Sequence, residues 1–386
     1  MDRDLLGRPP TRRRRIDWLA KVAKGQTTCQ SHGSASSACL DRRDLSLPVR
    51  NEDLTHLAAS QARLPLPSPK VALASCTRGC CPARLREWLF WHLAKGIRLF
   101  LLRWEGAMTP EQEEVIRDLR DRGRLILLES SLQGKTSSSF QRVMTRQIKF
   151  VHHAIRAARA RRCDFLLHLD DDELLFSETD SIPALLRRFL GSSKRCVHFE
   201  NLEAVFPFEM QTDRPFSRQR TRFRKNFQVL YCNGKSAANL TAGEVYASGV
   251  HHFCRHDRSF EEADPKFGLH DETAGCSHPA CCIQERSAFV LHFDSPSFVE
   301  WRDKFALRAQ ASMSQLDEEE LQQFPFKRAS VEAFTKVKKV PRQKQIYRHW
   351  RCLPGRKEEE FHPRITGSSL EAAFQRLLSQ VRVEFA

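Results

Sequence analysis

The sequence FLLHLDDDELLF, residues 165–176, places four consecutive acidic residues between two apolar stretches. Phe165–Leu169 has the length and composition of a buried strand, so the acidic residues follow the carboxyl end of that strand. In open α/β sheets, ligands bind outside the carboxyl ends of the strands. The carboxylates of Asp170 and Asp172 can present oxygens to Mg²⁺ or Mn²⁺, and a cation is a physical reason to collect like charges. The competing interpretation is an exposed acidic turn that caps the next helix.

The residues before this stretch alternate between strand and helix patterns. Gly96 is suited to the end of the first helix, and Thr109–Gln112 is a capping box with proline at the first helical position. The predicted elements are a strand at 71–75, a helix around 85–93, a strand at 97–102, a helix at 110–123, a strand at 125–128, a helix at 140–161 and a strand at 165–169. This alternation predicts an α/β fold, with a mostly parallel sheet flanked by helices.

The second half of the chain predicts a mixed α+β arrangement. A helix is expected at 181–190, and strands with loops are expected in 196–256 and 287–294. Ser297–Glu300 is a second capping box, which predicts a helix through Trp301.

The charge of the chain first favours a nucleic-acid partner. Its 386 residues include 63 Lys and Arg against 47 Asp and Glu, a formal charge of +16. However, residues 1–70 carry a net +6 and residues 321–386 a net +8, whereas residues 71–320 carry only +2. A nucleic-acid-binding protein that acts through basic tails is therefore the alternative, with no recognisable nucleic-acid motif to support it. The basic stretch 336–351 could touch phosphate or an acidic glycan, and a solvated basic helix competes with that interpretation.

Four segments resemble the family-2-like and family-92-like glycosyltransferases in the same order along residues 71–310. Residues 72–92 are similar to the opening strand and helix of that family, whose Arg-Asn-Glu turn is only partly present as Arg78-Gly79. The matching helix positions are Leu85, Glu87, Trp88, His92 and Gly96. The other similar segments are Leu169–Glu173 (family Leu-Asp-x-Asp-Glu), Gly234-Lys235-Ser236, and Leu291–Phe298 with Trp301 and Lys304-Phe305.

The resemblance implies a GT-A (Rossmann-like) fold and a metal-dependent, inverting glycosyltransferase. Its donor would be a UDP- or GDP-sugar and its acceptor a hydroxyl of a glycan or glycoconjugate. Asp170 and Asp172 would contact the donor and its Mn²⁺ or Mg²⁺, and His292 would complete the metal site. The remaining donor contacts would come from Arg78, Lys235 and Ser236. The incomplete Arg-Asn-Glu turn also motivates a further alternative, a non-catalytic member of the transferase fold.

Several site assignments have competitors in the sequence. Lys235 does not belong to a P-loop, because Val229 stands where that motif needs glycine. His251-His252 competes with His292 for the metal. Glu203 is the first choice for the base that deprotonates the acceptor, and Asp257 and Asp271 are the alternatives. The run C-x-H-x-x-C-C at 276–282 could hold zinc, although disulfides or buried thiols are favoured.

These expectations divide the chain into a flexible basic leader (1–70), a GT-A domain (71–310) and a basic helical C-terminal extension (311–386). The leader could contact a membrane peripherally through apolar residues behind the arginines at 12–15. No run reaches the length of a membrane span, and no apolar signal segment follows Met1. The family resemblance and the sequon Asn239-Leu240-Thr241 mildly favour the secretory pathway or Golgi.

Overall fold

A computed structural model gives the fold of one compact unit within Ser46–Ala386. It describes residues 48–60, 69–128, 140–177, 181–207, 216, 221–225, 233–247, 249, 251–254, 282–312, 325–337, 339–352 and 360–384.

Helices and strands alternate in the first part of the chain, and strands predominate later. They are α1 (Asn51–Ser60), β1 (Val71–Thr77), α2 (Pro82–Ala94), β2 (Leu99–Trp104), α3 (Pro110–Asp121), β3 (Leu125–Leu127), α4 (Phe140–Ala160), β4 (Phe165–His168), β5 (Glu173–Ser177), α5 (Ile182–Arg187), β6 (Cys196–Val205), β7 (Arg222–Lys225), β8 (Lys235–Asn239), β9 (Tyr246–Ala247), β10 (Phe253–Cys254), β11 (Cys282–His292), α6 (Phe298–Ser312), α7 (Pro325–Glu332), α8 (Val340–Arg351), β12 (Phe361–Thr366) and α9 (Gly367–Glu384).

The first four strands form a parallel sheet in the order β3-β2-β1-β4. The chain runs outward from β1 to β3 and then returns to place β4 on the other side of β1. Strand order reverses between β1 and β4, which is where open α/β sheets bind ligands. This half confirms the predicted α/β fold with helices flanking a Rossmann-like sheet.

The second half adds strands of mixed direction to the same sheet. β8 lies antiparallel to β4, and β6 lies antiparallel to both β8 and β7. β11 pairs in parallel with β6 and antiparallel with β5. Because β8 is antiparallel, its amino end lies at the carboxyl end of β4.

Successive residues of a strand point to opposite faces of the sheet, and both faces are covered. Leu73 of β1 packs on the side of Trp88 and Phe374. The neighbouring Ala72 and Ala74 pack on the other side, against α4 residues such as Ala154. A strand buried on both faces must be apolar throughout, as the sequence pattern predicts.

The two predicted capping boxes differ in the structure. Thr109 and Gln112 form both reciprocal hydrogen bonds at the start of α3. At the start of α6, the Ser297 hydroxyl accepts the backbone N–H of Glu300 at 3.1 Å. The Glu300 side chain instead forms an ion pair with Arg84 of α2 at 3.1 Å. Arg84, a residue distant in the sequence, thus binds the Glu300 carboxylate that a complete capping box would direct to the backbone of Ser297.

The predicted segment boundaries at residues 70 and 310 fall inside the compact unit. Leu54 and Leu57 of α1 are buried in the main core. Beyond residue 310, β12 pairs with β7, and Tyr347 of α8 packs with Trp301 of α6. The leader's membrane contact lies outside the described residues. None of the helices described is long and apolar enough to cross a membrane.

The predicted sequon has a structural role in this fold. Asn239 is fully buried at the end of β8. Its Nδ2 donates to the carbonyls of Phe189 and Lys194, both at 3.1 Å, while its Oδ1 accepts from Thr241. In the folded chain, the Asn239 amide therefore fastens the end of β8 to the segment 189–194.

The predicted zinc run is only partly described. Cys282 begins β11 and is buried, while Cys276, His278 and Cys281 lie outside the described residues.

Candidate active site

The acidic residues form a turn between β4 and β5 at the point where strand order reverses. The hydroxyl of Thr77, the last residue of β1, donates to the Asp171 carboxylate, so the carboxyl ends of β1 and β4 meet there. Burial raises the pKa of Asp171 to about 6; Arg84 opposes this rise and Asp172 adds to it. The turn is thus tied to both strands that flank the reversal.

Helix α2 holds the strand that follows the turn. The indole N–H groups of Trp88 and Trp91 donate to the carbonyls of Glu173 and Leu175, at 2.9 and 3.0 Å. His92 is buried behind the same strand, and its Nε2 accepts the Leu175 N–H at 3.4 Å. Trp88 and His92, which the family resemblance singled out, therefore position the acidic turn from behind.

Lys235 neutralises one end of the turn. It is fully buried at the start of β8, with Nζ 2.9 Å from Asp170 Oδ2 and 3.6 Å from Glu173 Oε2. Glu173 Oε2 also accepts the backbone N–H of Asp170 at 2.8 Å. The β4–β8 register pairs Leu167 with Ala237, which places Lys235 beside the first residues of the turn.

These contacts perturb the acid–base behaviour of the three groups. Burial would raise the pKa of Asp170, but the Lys235 ammonium holds it below its ordinary value. Burial raises the pKa of Glu173 to about 8, against the opposing charge of Lys235. Burial alone would lower the pKa of Lys235, but Asp170 and Glu173 raise it. Lys235 and Asp170 are therefore a charged pair.

Gly234 allows the close approach that brings Lys235 to the turn. Its φ is +58°, and a Cβ at this position would lie 2.1 Å from the carbonyl oxygen of Phe199. Its backbone N–H donates to Asn201 Oδ1 at 3.2 Å. Glycine in the Gly-Lys-Ser segment thus has a packing reason as well as a conformational one.

His292 lies at the other end of the turn. The register of β11 pairs it with Glu173 on β5 and with Glu203 on β6. Its Nδ1 is 2.7 Å from Glu203 Oε1, and its Nε2 is 3.7 Å from Asp172 Oδ2. Burial would lower the pKa of His292, but the carboxylates of Glu203 and Asp172 raise it well above its ordinary value.

Asp172 also faces a lysine. Lys304 Nζ is 3.9 Å from Asp172 Oδ2 and 2.6 Å from Asp294 Oδ1. Burial would raise the pKa of Asp172, but His292 and Lys304 lower it. Asp172 is therefore ionised, and its partners are partly exposed to solvent.

Glu203 is placed differently from its predicted role as a base. Its side chain is 2% exposed, and besides His292 it accepts from Asn201 Nδ2 at 3.0 Å. Arg351 Nη1 lies 3.1 Å from its second oxygen. A base must touch the hydroxyl that it deprotonates. The enclosed Glu203 carboxylate does not meet that condition, and the alternatives Asp257 and Asp271 lie outside the described residues.

The remaining predicted residues are distributed around the turn. Arg78 is exposed directly after β1. Ser236 points to the opposite face of the sheet from Lys235, and its hydroxyl lies 3.2 Å from His198 Nδ1. His251 Nδ1 lies 3.1 Å from the Gly234 carbonyl oxygen. Of the two predicted histidine sites, the structure thus places His292 beside Asp172 and His251 beside the backbone of Gly234.

A carboxylate oxygen of Asp172 and a ring nitrogen of His292 are suitable ligand atoms for a divalent cation. Adjacent ligands at about 2.1 Å from one octahedral cation lie about 3 Å apart, close to the observed 3.7 Å. Glu203 holds the far ring nitrogen of His292, as carboxylates do for metal-binding histidines. Asp170 is bound to Lys235. Within the described ranges, no group of three or more His, Cys, Asp or Glu side chains is arranged to hold a metal.

Sequence reasoning missed two basic residues of this site. Lys304 stands in the closing motif, but that motif alone assigns it no role. Arg351 belongs to a stretch interpreted as a solvated basic helix. The buried residues of α8 are Gln343, Tyr347 and Arg351, four residues apart. That spacing is a helical face, and it is the signal that could have indicated a buried arginine.

Comparisons with known proteins do not identify a family for this chain. No family model matches the chain, and no curated protein matches it. Among solved structures, CMP:2-keto-3-deoxy-manno-octonic acid synthetase complexed with CTP is similar at 10% identity and a TM-score of 0.21, over 35% of this chain and 53% of that one. Mannose-1-phosphate geranyltransferase from Thermus thermophilus is similar at 13% identity and a TM-score of 0.22, over 73% and 68%. The chain thus spans about half of the first protein, and scores near 0.2 do not establish a shared fold.

Proposed function

We propose that this protein is a metal-dependent glycosyltransferase of the GT-A type, which transfers a sugar from a nucleotide-sugar to a hydroxyl group of a glycan or glycoconjugate. The observation that carries the proposal is the acidic turn at the strand-order reversal, with Lys235 and His292 converging on it from β8 and β11. These residues come from three of the four segments that resemble the glycosyltransferase families.

The roles of the residues follow from their charge and exposure. Asp172 and His292 would hold Mn²⁺ or Mg²⁺, which when bound neutralises the charge that develops on the leaving nucleotide. Asp170 is 30% exposed on the same turn and would contact the donor, while Lys235 holds it in place. Lys304 and the exposed Arg78 add positive charge at the edge where a UDP- or GDP-sugar diphosphate would lie. Ser236 lies on the far face, so we leave it out of the donor site.

The test is release of nucleoside diphosphate from a panel of UDP- and GDP-sugars by the purified full chain with Mn²⁺. We expect Asp172→Asn to lower the rate at least about 100-fold, because removing one preorganised charge at a reacting centre costs about that much. Asp121→Asn, on the exposed end of α3, is the matched control and should keep the wild-type rate. Full activity of Asp172→Asn, or of the wild type in EDTA, would contradict the proposal.

Two further measurements separate the alternatives. A folded chain that binds no donor by calorimetry favours the non-catalytic member of the transferase fold. Steeply salt-dependent RNA or DNA binding favours the nucleic-acid alternative, in which the basic flanks 1–70 and 321–386 bind the nucleic acid.

A further inference from the structure

A chain of contacts joins the C-terminal helix α8 to His292. Arg351, the last residue of α8, is fully buried. Its Nη1 lies 3.1 Å from Glu203 Oε2, and its Nη2 donates to the backbone carbonyl of Asp294. The other oxygen of Glu203 lies 2.7 Å from His292 Nδ1. Arg351 therefore contacts both the carboxylate that binds His292 and the backbone two residues beyond it.

The Glu203 contact determines how the His292 ring is oriented. An ionised carboxylate only accepts hydrogen bonds, so Nδ1 of His292 must carry the hydrogen. The ring nitrogen that remains, Nε2, then faces Asp172. Arg351 holds the Glu203 carboxylate from the other side, because its Nη1 contacts Oε2 while His292 contacts Oε1.

The position of Arg351 is itself held by several contacts. Its carbonyl oxygen accepts the Phe206 N–H at 2.9 Å, and its guanidinium lies 5.7 Å from the Phe206 ring centroid. One turn earlier, the Tyr347 hydroxyl donates to the Ser295 carbonyl at 3.3 Å. The end of α8 is thus fixed against the ends of both β6 and β11.

We infer that Glu203 and Arg351 are positioning residues, which hold His292 with Nε2 directed at the cation site, so that the C-terminal segment is part of the donor site. This inference rests on the proposed function, because it assumes that His292 meets a divalent cation. It differs from the sequence prediction, in which Glu203 acts on the acceptor.

The experiment is a titration of Mn²⁺ alone against the full chain, followed by electron paramagnetic resonance of the free ion. We expect Glu203→Gln and Arg351→Met each to weaken Mn²⁺ binding by about 10- to 100-fold, the usual effect of losing the carboxylate behind a metal-binding histidine. The double variant should bind about as weakly as either single variant, because the two residues act through the same histidine. Arg342→Gln, on the exposed face of α8, should bind as the wild type does.

Turnover separates positioning from base catalysis. If Glu203 positions His292, turnover of Glu203→Gln at saturating Mn²⁺ should stay within about tenfold of the wild type. If Glu203 is the base, Mn²⁺ affinity should be unchanged and turnover should fall about 100- to 10,000-fold, which overturns the inference.

A destabilised control separates positioning from a general loss of stability. Leu54→Ala, in the buried face of α1, should cost about 2–5 kcal/mol of stability and leave Mn²⁺ affinity unchanged. An equal loss of affinity in Leu54→Ala would overturn the inference. A wild type that binds no Mn²⁺ would overturn the proposed metal site as well, whereas normal binding by the wild type and by both variants would overturn only the positioning role.

Discussion

Each end of the acidic turn pairs an aspartate with a lysine, but the surroundings of the two pairs differ. At one end, Asp170 and Glu173 share Lys235, a lysine that is fully buried. At the other end, Asp172 faces His292 and Lys304, and the Lys304 side chain is 32% exposed. A buried lysine is a permanent counterion, whereas partly exposed partners can yield to a ligand. We call the Lys235 end the closed end and the Lys304 end the open end, and we expect the closed end to contribute more to the stability of the fold.

The largest effect is expected when the buried Lys235 is removed. Lys235→Met should lower the free energy of unfolding by about 3–5 kcal/mol, because it removes the fully buried cation that balances the ionised Asp170 carboxylate. Denaturant unfolding of the purified variant measures this. Adding Asp170→Asn should recover part of the loss, since it removes the carboxylate charge that Lys235 balances. A Lys235→Met protein within about 1 kcal/mol of the wild type would show that the closed end contributes no more to stability than the open end.

The second test concerns His92, which is buried behind β5 at the closed end. Burial lowers the pKa of His92 to about 3, whereas an exposed histidine titrates near 6.5. The folded state therefore resists protonation, and the stabilisation is complete above pH 6.5 and is lost as the pH falls toward 3. His92→Gln should remove a slope of about 1.4 kcal/mol per pH unit within that window.

The measurement is denaturant unfolding of both proteins at several pH values from 7 to 4. The other titrating groups are common to the two proteins, so the difference between them isolates His92. If the free energies of unfolding of the wild type and of His92→Gln change with pH in parallel, the pKa of His92 is not lowered by folding.

The smallest effect is expected at the open end. Lys304→Met should change the free energy of unfolding by no more than about 1 kcal/mol, because partly exposed ion pairs contribute little. Asp294 keeps the Ser295 hydroxyl as a donor at 2.7 Å in that variant. Thermal and denaturant unfolding test this. A loss as large as that of Lys235→Met would make the two ends equivalent.

Local sequence patterns predicted most of the parallel half of the fold. Apolar runs and helical spacing located β1 to β4 and their helices to within a few residues, and Thr109 caps α3 as its motif predicts. The patterns succeed there because a strand buried on both faces must be apolar over its whole length. In the mixed half, helices were predicted at 181–190 and through Trp301, where α5 and α6 lie, but the sheet was predicted only as strands with loops, since its long-range pairings leave no periodic signal.

The sequence by itself determined that carboxylates gather after β4, and the family resemblance predicted that Lys235 and His292 belong with them, with His251-His252 as the competitor. Only the tertiary structure decided which carboxylate each cation meets, because β8 and β11 bring in their residues from 65 and 120 positions further along the chain than Asp170 and Asp172. The same holds for Asn239, a sequon by its sequence and a buried amide in the fold, and for Arg351, a basic residue of the tail that is buried against Glu203. Burial and long-range pairing depend on the packing of distant segments, and no local pattern contains that information.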